Sequence, residues 1–386
     1  MKVLIVTAMF PPIRTGTSFY SRNLASTLHS QGNQVTVVTV RNSESDFEDY
    51  PFEVIRINSL HVTATNYFKH LRFTSFYPSN YLKIRRIAEE KQVETILLIN
   101  HYLDIAFLAV YAAKRLGLPL FISVGTQMQS LNPFRNKVLR FLDRLVCGRM
   151  IFPYCRNIIS WDSEIERYIE EVQRKKVAEK SVIIPFGANG NIDELSSFEM
   201  DYSLKKTIVG VGAVISQRDY LFQIKVFREL LKHDSGIRLK IIGHIYDDAP
   251  VELAKKLGIY EHVEFLGEVP HERVLSEMKG ADIHWMMLSG QYVGLGTATL
   301  EAMLLGLPSI SNVPSNLFGL PDLVDMENYI YTDGISIDAI AEKINRLLNS
   351  QELRSKIGKS GKSYVARNLN WEKVGRQMIE LFEQQR

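Results

Sequence analysis

The chain has 386 residues, of which 46% are apolar and 23% charged, and it carries a net charge of +3. That length exceeds one ordinary core and implies two domains, while so small a charge gives no electrostatic footprint for nucleic acid. Only two cysteines occur, Cys147 and Cys155; this excludes a disulfide framework, offers no paired Cys-x-x-Cys zinc site, and fits a reducing, cytoplasmic compartment.

The opening run of apolar residues stops at Pro11 and Pro12, so 3–7 reads as a first strand rather than a signal peptide. Residues 19–31 form a helical pattern with Phe19, Leu24 and Leu28 on one face and Gly32 as its stop. Strands follow at 35–40, 53–57, 95–99, 120–124 and 157–160. Helical patterns at 81–91, 105–116 and 136–149 separate them. This alternation predicts a parallel sheet with helices on both faces. No uninterrupted apolar run is long enough to span a bilayer, since His101, Asp104, Lys114 and Arg115 break the most apolar region.

The Gly-, Pro- and Asn-rich stretch after Ile184 breaks this rhythm. The second half then restarts it. Strands are expected at 207–212, 239–243, 263–266, 283–288 and 308–311, and helices at 221–232, 297–305, 337–349 and 351–368. The division is 1–185 for the first domain, 186–206 for a linker and 207–370 for the second domain. A final helix, 371–386, starts at Trp371 and packs back towards the first domain. Two doubly wound α/β domains facing a cleft are the expected architecture, with ligands beyond the carboxyl ends of the strands.

Three glycine-bearing turns are placed to meet a ligand. Val293-Gly-Leu-Gly-Thr297 opens a helix. Gly294 and Gly296 let backbone approach closely, Leu295 lies between them, and the free N–H groups from Thr297 onward can hold a phosphate. Glu301 stands one turn further, where a carboxylate can accept hydrogen bonds from a ribose diol. Gly210-Val-Gly-Ala-Val-Ile-Ser-Gln-Arg218 joins a strand to a helix. Gly212 opens that turn, and the planar fork of Arg218 suits a diphosphate. Phe10-Pro-Pro-Ile-Arg-Thr-Gly16 follows the first strand, so Gly16 and Thr17 can present amides to a phosphate or an acceptor. Read singly, each segment is equally a structural turn.

In this order, these segments resemble glycosyltransferase family 4 over nearly the whole chain. The first loop looks like F-P-P-x-x-G-G. The run from Leu28 to Thr39 looks like L-x-x-x-G-H-x-V-x-V-V-T. The stretch from Leu300 to Pro308 looks like L-E-A-M-A-x-G-x-P. The resemblance implies a GT-B fold and a nucleotide-sugar donor used as substrate. It further implies transfer with retention of configuration, with no tightly bound cofactor and no metal. In that picture Glu301 holds the ribose. Gly296, Thr297 and Arg218 hold the diphosphate, Gly16 lies near the reacting phosphate, and a glycan, lipid-linked or small-molecule acceptor binds the first domain.

The sequence departs from the family pattern at four places. Val293 stands where the family has the first of two glutamates, and Ala213 where it has an arginine. Ser123-Val-Gly-Thr-Gln127 lacks the usual histidine, and Thr17 replaces a second glycine. His101, just after a strand, is a candidate to replace that histidine in catalysis; His244 is expected to be structural. An active retaining hexosyltransferase is the leading reading. A degenerate relative acting as a binding or partner subunit, and a sugar-nucleotide epimerase, are the alternatives.

Basic and aromatic residues gather at 67–73 and 134–149. The second segment is expected to be a helix that packs Val138, Leu139, Phe141 and Leu142 inward. The alternative is peripheral contact with the inner face of a membrane through a basic, aromatic helix surface.

Overall fold

The computed structural model describes residues 1–13, 15–41, 49–62, 72–130, 132–188, 206–289, 294–319, 323–332 and 334–385. Most of the expected linker, the basic segment up to residue 71, and Val293 lie outside them. The chain divides into two compact units. The first comprises Met1–Gly187 with Trp371–Arg386, and the second Ala188–Asn370.

In the first unit the strands are β1 (Lys2–Thr7), β2 (Gln34–Val40), β3 (Glu53–Ile57), β4 (Leu60–His61), β5 (Arg72–Phe73), β6 (Thr95–Ile99), β7 (Leu120–Val124), β8 (Ile158–Ser160) and β9 (Ser181–Ile183). Seven of them make one parallel sheet in the order β3-β2-β1-β6-β7-β8-β9. Its central strands β6 and β7 are buried along their whole length. They therefore read as continuous apolar runs rather than alternating ones. Helices α1 (Gly16–Ser30), α2 (Pro78–Glu90), α3 (Ile105–Leu116), α4 (Pro133–Leu142), α5 (Gly148–Met150), α6 (Ser163–Val172) and α7 (Lys175–Ala178) connect the strands.

The second unit holds β10 (Thr207–Val211), β11 (Arg238–Ile242), β12 (Val263–Gly267), β13 (Ile283–Trp285), β14 (Ser309–Ser311) and β15 (Ile330–Tyr331) in the order β12-β11-β10-β13-β14-β15. Its helices are α8 (Tyr220–Leu231), α9 (Ala249–Lys256), α10 (His271–Lys279), α11 (Thr297–Leu304), α12 (Ile337–Leu348) and α13 (Gln351–Asn368). Both sheets thus run outward in both directions from their first strand. The strand order reverses between β1 and β6 in one unit and between β10 and β13 in the other. Doubly wound sheets open a ligand crevice at that reversal.

The last helix, α14 (Trp371–Gln384), belongs to the first unit and packs on α1. Gln31 donates to the Glu372 carbonyl at 2.8 Å. A side chain at Gly375 would meet Gln31 and Thr27 within 2.7 Å, so glycine lets the two helices approach.

One helix differs from its sequence reading. Residues 133–150 run as α4, a π-helical stretch Asp143–Cys147, and α5. No residue of α4 is buried. Phe134 is 76% exposed and Phe141 63%, and Val138 and Leu142 are exposed as well. The expected inward packing of Val138, Phe141 and Leu142 is therefore wrong; only Leu139 is half-buried. The buried side of the helix is instead polar, with Asp143 and Cys147 turned to the interior.

Candidate functional site

The crevice side of the second unit is assembled from two strand-end turns. Gly212 has φ +143°, and a Cβ there would lie 2.0 Å from Arg218 Nη1. Glycine is required on both counts. Arg218 therefore lies flat across the turn, and its Nη1 donates to the Val211 carbonyl at 2.9 Å. Tyr220, buried below, donates its hydroxyl to the Gly212 carbonyl at 2.9 Å. Asp219 caps α8 by accepting from the Phe222 amide.

This turn is stitched to the chain leaving β13, across the strand-order reversal. Ser289 N–H donates to the Gln217 carbonyl at 3.0 Å, Asp219 N–H donates to the Met287 carbonyl at 3.1 Å, and Arg218 bridges Leu288. His284 on β13 is fully buried. Burial first, and the Arg218 charge second, push its imidazole down to about 3. It is neutral at physiological pH, so Arg218 is the cation of this turn.

Gly294 and Gly296 have φ +150° and +72°, and Leu295 between them is fully buried and anchors the loop. Gly296 precedes α11 with no side-chain cap. Helix geometry leaves the first N–H groups, from Thr297 on, without intrahelical acceptors. Those donors and the helix dipole favour an anion. Glu301 lies one turn along the same helix. Its Oε1 is 3.0 Å from Nε2 of His271, the first residue of α10. The Glu301 side chain is 21% exposed and the His271 side chain 56%. Sequence reasoning passed over His271; its place at a helix start just after Pro270 was the available signal.

In the first unit Gly16 opens α1 and is exposed, with nothing near its missing side chain. Thr15 caps the helix by accepting from the Ser18 amide at 3.1 Å. Thr17 Oγ1 accepts from Asn100 at 3.3 Å, and Asn100 in turn accepts from the Gly125 amide at 3.2 Å. Asn100 has φ +63°. Its left-handed turn ends β6 and sends the next residue, His101, into the interior.

His101 is fully buried. Its Nε2 lies 3.1 Å from Asp143 Oδ1, without hydrogen-bond alignment. Tyr168 donates its hydroxyl to Asp143 Oδ2, and the His101 ring lies on Phe152 with centroids 4.9 Å apart. The structure thus places His101 in a packed network of the first unit, whereas Arg218 and Glu301 belong to the second. It presents no open face for proton transfer.

Burial pushes the Asp143 carboxyl up. His101, Tyr168 and Cys147 more than offset this and hold it below the usual carboxylate range. His101, Asp143 and Cys147 are the one group among the described residues close enough to hold a metal ion. Burial and the Asp143 charge push the Cys147 thiol far up, so it stays protonated, which disfavours the thiolate a metal needs.

The absent family histidine has a steric counterpart. A Cβ at Gly125 would lie 2.1 Å from the Trp161 ring. Trp161 is held there by its Nε1, which donates to Ser123 Oγ at 2.8 Å, and by Tyr20, whose ring centroid is 4.0 Å away. No side chain fits at Gly125 while Trp161 keeps this position. His244, expected to be structural, has its side chain 53% exposed and its Nδ1 3.7 Å from Glu268.

Comparison with known proteins agrees with this layout. Residues 14–189 match the model for Glycosyltransferase Family 4, and residues 193–364 match that for Glycosyl transferases group 1. An uncharacterized glycosyltransferase of Haemophilus influenzae is 24% identical over 348 residues, covering 88% of each chain. One from Methanocaldococcus jannaschii is 25% identical over 261 residues, 65% of this chain and 64% of that protein. Among solved structures, sucrose-phosphate synthase from Thermosynechococcus elongatus superposes with a TM-score of 0.75 at 16% identity, covering 100% of this chain and 99% of that one. Anabaena HepE in complex with UDP gives 0.73 at 14% identity, with both chains fully covered. The chain belongs to the GT-B glycosyltransferases, with a family 4 first half and a group 1 second half.

Proposed function

We propose that this chain moves a hexosyl group from a nucleotide sugar to a glycan or lipid-linked acceptor, with retention of configuration and without a metal. The arrangement at the β10–β13 reversal carries this reading. One cation, Arg218, lies across a glycine turn. In the same unit an uncapped helix start precedes a partly exposed carboxylate, Glu301. A diphosphate suits the guanidinium fork and the α11 amides, and a ribose diol suits Glu301. Structures of Anabaena HepE with UDP and with UDP-glucose, similar in fold, support a nucleotide-sugar ligand.

In the transfer, the bond between the sugar C1 and the diphosphate oxygen breaks, and the electron pair leaves with the nucleoside diphosphate. The acceptor oxygen bonds C1 on the same face and gives up its proton to the departing phosphate. Arg218 stabilises the charge developing there. A lipid-linked acceptor would bring the chain to a membrane surface. One relative from Mycolicibacterium smegmatis, 25% identical over 189 residues that cover 47% of this chain and 49% of that protein, bears the name GDP-mannose-dependent alpha-(1-6)-phosphatidylinositol monomannoside mannosyltransferase.

The test is release of nucleoside diphosphate from a panel of UDP- and GDP-sugars, with and without glycan and lipid-linked acceptors. Turnover of one donor that is lost in Glu301→Ala supports the reading. His271→Ala is expected to raise the donor KM by up to roughly fivefold with little change in kcat, because an exposed pair orients Glu301 with about 0.2–1 kcal/mol. A fall in kcat at constant KM would give His271 a different role. The exclusion of any side chain at Gly125 by Trp161 favours a second reading, a partner subunit that binds the donor without turning it over. Donor binding with no release against any acceptor would select it.

A further inference from the structure

The helical segment 133–150 is amphipathic in the reverse sense. Its interior face carries Asp143, fully buried against His101 and Tyr168, and Arg140, which pairs with Glu171 at 2.5 Å and covers the Tyr168 ring. Its outward face carries Phe134, Val138, Phe141, Leu142 and Leu145, all between 37% and 76% exposed. Helical spacing sets Phe134, Val138, Phe141 and Leu145 in a single stripe. Burying large apolar side chains is favourable by roughly 25 cal/mol per Å². A stripe of four left in water, with Leu142 beside it, therefore marks a surface with a use.

The charges around the stripe identify its occupant. Arg135, Lys137, Arg144 and Arg149 are exposed, and the segment has no exposed acid, because its only carboxylate is the buried Asp143. None of these four cations forms an ion pair among the described residues. A second copy of the chain would set like charges face to face. A lipid surface with anionic headgroups would pair with all four, while the aromatic and aliphatic stripe enters the acyl boundary. Exposed Met150 ends the segment, exposed Tyr154 follows it, and Lys114 sits 4.3 Å above the Tyr154 ring.

We propose that the outward face of residues 133–150 docks the protein on an anionic bilayer surface. The buried polar network of Asp143, His101 and Tyr168 holds the helix in the fold and so frees its apolar face for lipid. This face is distinct from the donor residues of the second unit, and the proposal stands whether or not the chain turns over a nucleotide sugar.

The test is sedimentation of the full chain with vesicles. With phosphatidylcholine vesicles containing phosphatidylglycerol at low salt, the protein is expected to pellet. With pure phosphatidylcholine it is expected to stay in solution, and added salt should release it. Arg135→Glu, Lys137→Glu and Arg144→Glu together should lower the partition coefficient by about a hundredfold, at roughly fivefold per lost cation. Phe134→Ser with Phe141→Ser should lower it by at least tenfold. Since those two side chains are exposed, the melting temperature should hold, which separates lost docking from lost folding. No pelleting at low salt, or equal pelleting with both vesicle types, would overturn the proposal. So would a dimer in light scattering that Phe134→Ser and Phe141→Ser dissolve, which would assign the stripe to a second copy.

Discussion

Asp143→Ala is expected to remove about 1–3 kcal/mol of folding stability from the first unit, the cost of leaving a buried polar partner unsatisfied. The side chain is fully buried, His101 sits 3.1 Å from it, and Tyr168 donates to it. Without the carboxylate, the His101 ring and the Tyr168 hydroxyl would face a void. Asp143→Asn keeps the volume and should cost less. Urea unfolding followed by tryptophan fluorescence checks this, since Trp161 and Trp371 report on the first unit and Trp285 on the second. The midpoint of the first unit should fall while its denaturant slope holds.

The sign of the pH dependence follows from the depressed Asp143 carboxyl. Its contribution is present above about pH 4, the ordinary carboxylate value, and is lost as pH falls through the lower folded value. The gap between wild type and Asp143→Ala should therefore narrow in strong acid. A gap that widens on acidification would contradict the assignment.

Arg218→Ala is expected to lower kcat by roughly 10²–10³, the usual loss when one donor to developing charge is removed. The guanidinium lies over Gly212, bonded to the Val211 carbonyl. Ala213 supplies no second cation in the same turn. Where a family relative has two positive charges, this chain has one, so its loss is not shared. Arg218→Lys should recover part of the activity, because it keeps the charge and loses the fork. The stability cost should stay near 1 kcal/mol, the net worth of one hydrogen bond. A kcat within threefold of wild type for Arg218→Ala, in a chain that does turn over donor, would remove Arg218 from the site.

The parts legible in the sequence are those where local pattern and burial agree. The strands 95–99 and 120–124 and the helices 105–116 and 351–368 are found at their expected bounds. The two strands are buried on both faces, so their composition is unambiguous. Helix α9 is too short to show a period, α10 is short and mostly polar, and in β4, β5 and β15 two residues carry no period, so none of these is legible. The helix from residue 133 shows a different limit. Periodicity marks which side chains share a face, but not which face meets the core. Here buried partners for Asp143 decide the matter against the apolar stripe. His101 failed likewise: its place after a strand was read correctly, but the left-handed turn at Asn100 that buries it has no sequence period. Glycines at 212, 294 and 296 were legible because each stands where the backbone takes a positive φ.

The most direct test of the central claim is a thermal-shift panel of nucleoside diphosphates and nucleotide sugars on wild type and Glu301→Ala. A ligand at 100 times its Kd stabilises the native state by about 2.7 kcal/mol. For a domain of this size that raises the melting temperature by about 5–10 °C. The account predicts such a shift for one nucleotide sugar with wild type, and a clear loss of it in Glu301→Ala. No shift with any nucleotide or nucleotide sugar at millimolar concentration, or an equal shift in both proteins, would contradict the donor site described for the second unit.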